Sequence, residues 1–127
     1  MQLLLDTHTF IWFINGDSSL PKKIIDEIKN LKNECFISMA SIWEIAIKCK
    51  LNKLFLNADF DKILDFLDQN QIEILPISFN HLIKLNELDF HHRDPFDRIL
   101  IAQGISENLT ILTKDQNFSF YETKMYW

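Results

Sequence analysis

Four carboxylates stand at the margins of apolar segments: Asp6, Glu44, Asp97 and Asp115. Asp6 closes Leu3-Leu4-Leu5, and Asp115 follows Ile111-Leu112-Thr113. Glu44 lies between Ile42-Trp43 and Ile45-Ala46-Ile47, and Asp97 precedes Ile99-Leu100-Ile101-Ala102. A carboxylate beside a core is costly unless a cation compensates it. Four that converge repel and raise one another's pKa, unless a divalent ion holds them. Carboxylates alone make a hard oxygen donor set, which selects Mg²⁺ or Mn²⁺ over zinc. One or two such ions activate water and stabilise the leaving oxygen of a phosphodiester. The pair His91-His92 lacks the i,i+4 spacing of a zinc face and is set aside.

Each acid also has a purely structural reading. Asp6 can cap a helix starting at Thr7. Glu44 forms an i,i+4 pair with Lys48 along the narrow stripe Ser41, Glu44 and Lys48. Asp94 precedes Pro95, and proline favours the first helical position, so Asp94 is expected as the N-cap. Asp97 then sits in the first turn, where an acid suits the helix dipole. We assign Asp97 as ligand and Asp94 as cap or outer ligand. Asp115 alone would be a turn residue. Thr113 can hydrogen-bond a ligand carboxylate or a water, and Thr7 is a candidate hydroxyl behind the ligands. His8 is read as a helix-start residue without a chemical role.

Elements that could position these residues follow from hydrophobic spacing. Strands are expected at 2–5, 35–38, 72–75, 110–113 and, at an edge, 124–127. Helices are expected at 7–15 (closed by Asn15-Gly16), from Pro21 to about Lys32, and at 40–50, 59–69, 78–88 and 95–107. Strands alternating with helices imply an α/β fold with a parallel sheet covered on both faces. Ligands of such sheets lie beyond the carboxyl ends of the strands, where strand order reverses. Asp6 and Asp115 both occupy that position.

The 127 residues bound one domain, 1–127, and an apolar share of 47% suffices for its core. Two Gly and three Pro argue against a low-complexity chain. Cys35 and Cys49 fit no metal spacing and read as free thiols in a reducing compartment. The longest wholly apolar run, Phe10 to Ile14, is too short to span a bilayer, and the N-terminal run, without a basic region and cut short by Asp6, is not expected to be a signal peptide. A soluble, cytoplasmic protein without a membrane partner is expected. The net charge of −5 is awkward for a nucleic-acid binder unless metal reverses its sign locally. Lys48, Lys50 and Lys53 are the candidate phosphate contacts.

The segments LLLDTH (3–8), SMASIWEIAIK (38–48), HHRDPFDRILIAQ (91–103) and LTILTKDQNF (109–118), with Met125-Tyr126-Trp127, resemble the PIN-domain family, in particular the VapC toxins of type II toxin–antitoxin pairs. That resemblance implies a three-layer α/β/α sandwich with a short, mainly parallel sheet. It implies a metal-dependent endoribonuclease whose four acids fall on Asp6, Glu44, Asp97 and Asp115, hydrolysing RNA with metal-activated water. It also implies a homodimer held in check by a cognate antitoxin. Asn52-Lys53-Leu54 replaces the family's usual GKL turn, and asparagine tolerates the left-handed backbone such a turn needs. Asp89 stands where proline is more usual. Two other readings remain: a catalytically silent PIN-like module binding RNA or protein, and an aspartyl phosphotransferase. The second expects an acid two residues after Asp6, where this chain has His8.

Overall fold

The computed structural model describes residues 1–127. Five strands, β1 (Gln2–Leu5), β2 (Glu34–Ser38), β3 (Ile72–Leu75), β4 (Thr110–Leu112) and β5 (Lys124–Tyr126), form one sheet in the order β3-β2-β1-β4-β5. Every pairing is parallel. The chain therefore winds outward from β1 to β3, then returns to the other side of β1, so strand order reverses between β1 and β4. The expected α/β architecture is present, with a wholly parallel sheet.

Six helices cover the sheet: α1 (Thr7–Asn15), α2 (Lys22–Lys29), α3 (Met39–Lys50), α4 (Ile63–Gln69), α5 (Phe79–Glu87) and α6 (Pro95–Ser106). Alternation along the strands divides the core. Leu3, Leu5, Cys35, Ile37 and Leu112 pack with Phe10, Ile14, Ile24, Ile28, Ile63 and Leu67 of α1, α2 and α4. Leu4 and Ile111 face the other way, onto Leu100 and Ile101 of α6 and onto Phe118 and Tyr121. Helix α3 touches α1 on one side and α6 on the other. Gly104 lets α6 lie against β4, since a Cβ there would meet Ile111 Cδ1 at 2.9 Å.

The expected boundaries shift at a few ends. Pro21 is the N-cap of α2 rather than its first residue, and α2 stops at Lys29 because Asn30 turns extended. There the Asn30 side chain accepts from the Lys32 amide, an alternative to helical bonding. The helix expected from Asp59 begins as a 3₁₀ turn at Phe60–Lys62. Strand β4 ends at Leu112, and the Thr113 hydroxyl turns the chain by accepting from the Asp115 amide at 3.0 Å. Gly16 closes α1 with φ +61°, and Asn52 takes the left-handed φ of 55° foreseen for its turn. No helix is long and apolar enough to cross a membrane.

Candidate active site

Asp6 leaves β1 directly at the reversal point, its amide donating to Leu112 O of β4 at 3.1 Å. Its carboxylate caps α1, with Oδ1 accepting from the Thr9 amide at 2.8 Å. Oδ2 accepts from the Thr113 hydroxyl at 2.5 Å. The same Thr113 oxygen accepts the Asp115 amide. Thr113 thus ties two of the four acids together across β1 and β4. Burial pushes the Asp6 carboxyl above its ordinary pKa, against the lowering pull of Thr113, Thr9 and the His8 charge. Asp115 opens a 3₁₀ turn, accepting from the Asn117 amide through Oδ1.

Glu44 reaches the site from α3, whose polar stripe is buried beside the Ile45 arc while the second apolar arc, Trp43 and Ile47, is exposed. Ser41 and Glu44 are buried, at 0% and 4% exposure, whereas Trp43 is 60% exposed. The Thr7 hydroxyl donates to Ser41 Oγ at 2.9 Å, which straps this polar face to the start of α1. Thr7 therefore touches α3 rather than an acid. Lys48 Nζ meets Glu44 Oε2 at 2.7 Å. Glu44 Oε1 is buried without any partner.

Asp97 stands in the first turn of α6. Asp94 caps that helix, accepting from the Phe96 and Asp97 amides at 2.9 and 3.1 Å. Burial raises the Asp97 pKa to about 7, and the charges of Asp94, Asp115, Asp6 and Glu44 push it in the same direction. One carboxyl thus feels the other three candidate acids as well as its own cap. Asp6 and Asp115, with His8, Thr9, Trp12 and Lys114, line a cavity of about 200 Å³ whose lining includes neither Asp97 nor Glu44.

The acids share a field without forming a finished cage: no three His, Cys, Asp or Glu side chains stand together as a ligand shell. The two observations are compatible, since Coulomb repulsion reaches well beyond coordination distance. The donors are all oxygen, one carboxylate oxygen is orphaned, and one carboxyl is crowded into retaining its proton. This set fits a hard divalent cation.

His8 and Lys114 line the cleft, although the sequence reading gave His8 no role and Lys114 none. Both lie within two residues of an acid at a strand end (His8 two after Asp6, Lys114 one before Asp115), and that proximity was the available signal. Lys48 is engaged with Glu44, while Lys53 and Lys50 are exposed and form no ion pair.

The PIN domain family model matches residues 3–124. The chain belongs to the PIN domain family. Among solved structures, the fold resembles VapBC2 from Rickettsia felis bound to a promoter DNA fragment, with TM-score 0.74, 21% identity, and 99% of this chain and 98% of that one covered. It also resembles VapBC-1 from nontypeable Haemophilus influenzae, with TM-score 0.73, 16% identity, and coverage of 99% and 97%. FitAcB from Neisseria gonorrhoeae aligns at TM-score 0.70, 16% identity, and coverage of 98% and 96%. No curated protein matches the sequence. At these identities the structural likeness establishes the fold of this PIN domain.

Proposed function

We propose that this PIN domain is a Mg²⁺- or Mn²⁺-dependent endoribonuclease and the toxin of a toxin–antitoxin pair, acting in the cytoplasm as a single domain. The observation that carries the reading is the arrangement of the acids: Thr113 ties Asp6 to Asp115 across β1 and β4, Glu44 Oε1 is buried without a partner, and burial and the neighbouring acids raise the Asp97 pKa. Asp6, Asp97, Asp115 and Glu44 would hold one or two ions. When bound, such an ion supplies Lewis acidity and an activated water to a phosphodiester. Thr113 holds Asp6 Oδ2 and the Asp115 amide in one arrangement, so the two strand-end acids move together. Asp94 sets the direction of α6 and hence of Asp97. Lys48 holds Glu44 through one oxygen and leaves the other directed elsewhere. Lys53 and Lys114 supply positive charge for a phosphate backbone.

Two protein partners accompany the reading. The similar structures VapBC2 and VapBC-1 bear the names of paired proteins, and an antitoxin with a basic side chain would suit this acidic cleft. Trp43 and Ile47 of α3 and Phe79, Leu82 and Ile83 of α5 are exposed apolar residues that suit a second copy in a homodimer. A second reading, a silent module that grips RNA without cutting it, is favoured by the lack of a finished ligand shell.

Incubating single-stranded RNA with wild-type protein and with Asp6→Asn, in Mn²⁺ or in EDTA, tests the proposal. Cleavage by wild type in Mn²⁺ alone supports it. Equal cleavage in all four conditions overturns it, and RNA binding without turnover selects the silent module.

A further inference from the structure

We infer that His92 is a positioning residue for Asp97, held in a single tautomer by Tyr121. The argument is a count of protons and lone pairs around one phenol oxygen. Three nitrogens meet Tyr121 Oη: an Arg98 guanidinium nitrogen at 3.1 Å, the His92 backbone nitrogen at 3.3 Å and His92 Nδ1 at 2.9 Å. A guanidinium and a backbone amide can only donate, so together they occupy both acceptor positions of the phenol. The phenol's single proton is then directed at His92 Nδ1, which must be bare. The imidazole carries its proton on Nε2.

Nε2 is buried and lacks a hydrogen-bond partner, and it faces Asp97 Oδ2 at 3.5 Å. The donor fixed by Tyr121 thus lies near one particular oxygen of the carboxyl, just outside hydrogen-bond geometry. A contraction of a few tenths of an ångström makes it a hydrogen bond. Of the two Asp97 oxygens, Oδ2 is the one this donor would take. This is the arrangement by which an outer group orients an inner one.

The support behind the phenol is rigid. Arg98 is 5% exposed and pairs with no carboxylate. It donates instead to Asp89 O at 2.8 Å and Leu88 O at 3.3 Å, and its guanidinium lies 4.1 Å from the centre of the Phe90 ring. Its fixed donor leaves the phenol no choice of direction. The His92 ring packs against Tyr121 and Phe118, with centroids 5.5 and 6.4 Å apart.

The inference rests on the metal-dependent reading only for its effect on metal affinity; the tautomer stands by itself. Long-range ¹H–¹⁵N NMR of the metal-free protein reads it directly, with His92→Gln assigning the signal. The expected spectrum shows His92 protonated at Nε2 and bare at Nδ1. Tyr121→Phe, which keeps the ring and loses the O–H, should release the tautomer toward a mixture. An Nδ1–H or imidazolium signature in wild type, or no change in Tyr121→Phe, overturns the inference. Mn²⁺ affinity, measured by calorimetry, should fall about 10-fold in His92→Leu and recover in His92→Gln, whose amide can donate from a similar place. If the folded His92→Leu protein binds Mn²⁺ as wild type does, the positioning role is wrong while the nuclease reading survives. If wild type binds no Mn²⁺, the nuclease reading fails and the NMR result still decides the tautomer.

Discussion

Helix α6 carries a buried polar cluster at each end. At its C-terminal end, His81 of α5 has both ring nitrogens engaged: Nδ1 accepts from the Ser78 amide at 3.0 Å, and Nε2 meets Glu107 Oε1 at 2.9 Å. The Ser78 hydroxyl completes a capping box, and Gln103 donates to Pro76 O. Only Gln103 Oε1 is left bare. The Glu107 side chain is 47% exposed, so its charge keeps its water. At the N-terminal end, Asp97 is raised to about 7, Glu44 Oε1 is orphaned, and His92 Nε2 faces a carboxylate without reaching it. The residue types are alike, and the completeness differs. The first cluster satisfies both histidine nitrogens, leaves only the Gln103 carbonyl bare, and ties α5 to α6. The second retains unspent donors, acceptors and negative charge, which the proposed cation would satisfy.

Glu44→Gln and Glu107→Gln are the same chemical change at the two ends. The first should lower RNA cleavage by at least about 100-fold, more than the 10–100-fold typical of residues standing behind metal ligands. Glu107→Gln should leave cleavage per folded molecule unchanged. Equal losses in a cleavage assay would erase the functional distinction.

His81→Ala should reverse the pattern. It strands the Ser78 amide and opens a hole between α5 and α6, costing about 3 kcal/mol in urea denaturation. A loss below about 1 kcal/mol would mean that the closed cluster does not stabilise the fold.

Adding Mn²⁺ probes the open cluster alone. At 100 times its dissociation constant the ion should stabilise the folded chain by about 2.7 kcal/mol, read as a rise in melting temperature. Asp97→Asn should remove most of that rise, and His81→Ala should not.

Proton linkage gives the smallest effect. Asp97 keeps its proton up to about pH 7 when folded, but only to about pH 4 when unfolded. Between those values the folded chain binds more protons, so stability should fall as pH rises, by about 2 kcal/mol after allowance for the solvent still reaching the carboxylate. In Asp97→Asn the metal-free protein should show a flatter profile over that window. An unchanged slope would mean that the acids do not crowd one another.

The fold was largely legible because parallel strands buried on both faces must be apolar throughout, and Leu3-Leu4-Leu5 and Ile111-Leu112 announce themselves. The Asp94-Pro95 cap and the left-handed Asn52 were also readable, since both depend on local backbone sterics. The end of α2 was not, because Asn30 and Lys32 settle it through a side-chain bond that competes with the helix. Helix α3 shows where a helical wheel runs out. Its spacing gives a polar stripe, Ser41 and Glu44, between two apolar arcs, but composition alone does not say that Ile45's arc is buried and that of Trp43 and Ile47 exposed. His92 and Tyr121 lie 29 residues apart, and nothing local links them.

Sequence alone determined the alternation of strands and helices, the acids at the strand ends and the caps that aim the helices. These are set by side chains acting on backbone within a few residues. Only the tertiary structure decided that Glu44 turns inward, that Thr113 joins Asp6 to Asp115, and that Tyr121 dictates which nitrogen of His92 bears a proton. Those outcomes depend on long-range packing, where desolvation and hydrogen-bond geometry act between residues that sequence distance keeps apart.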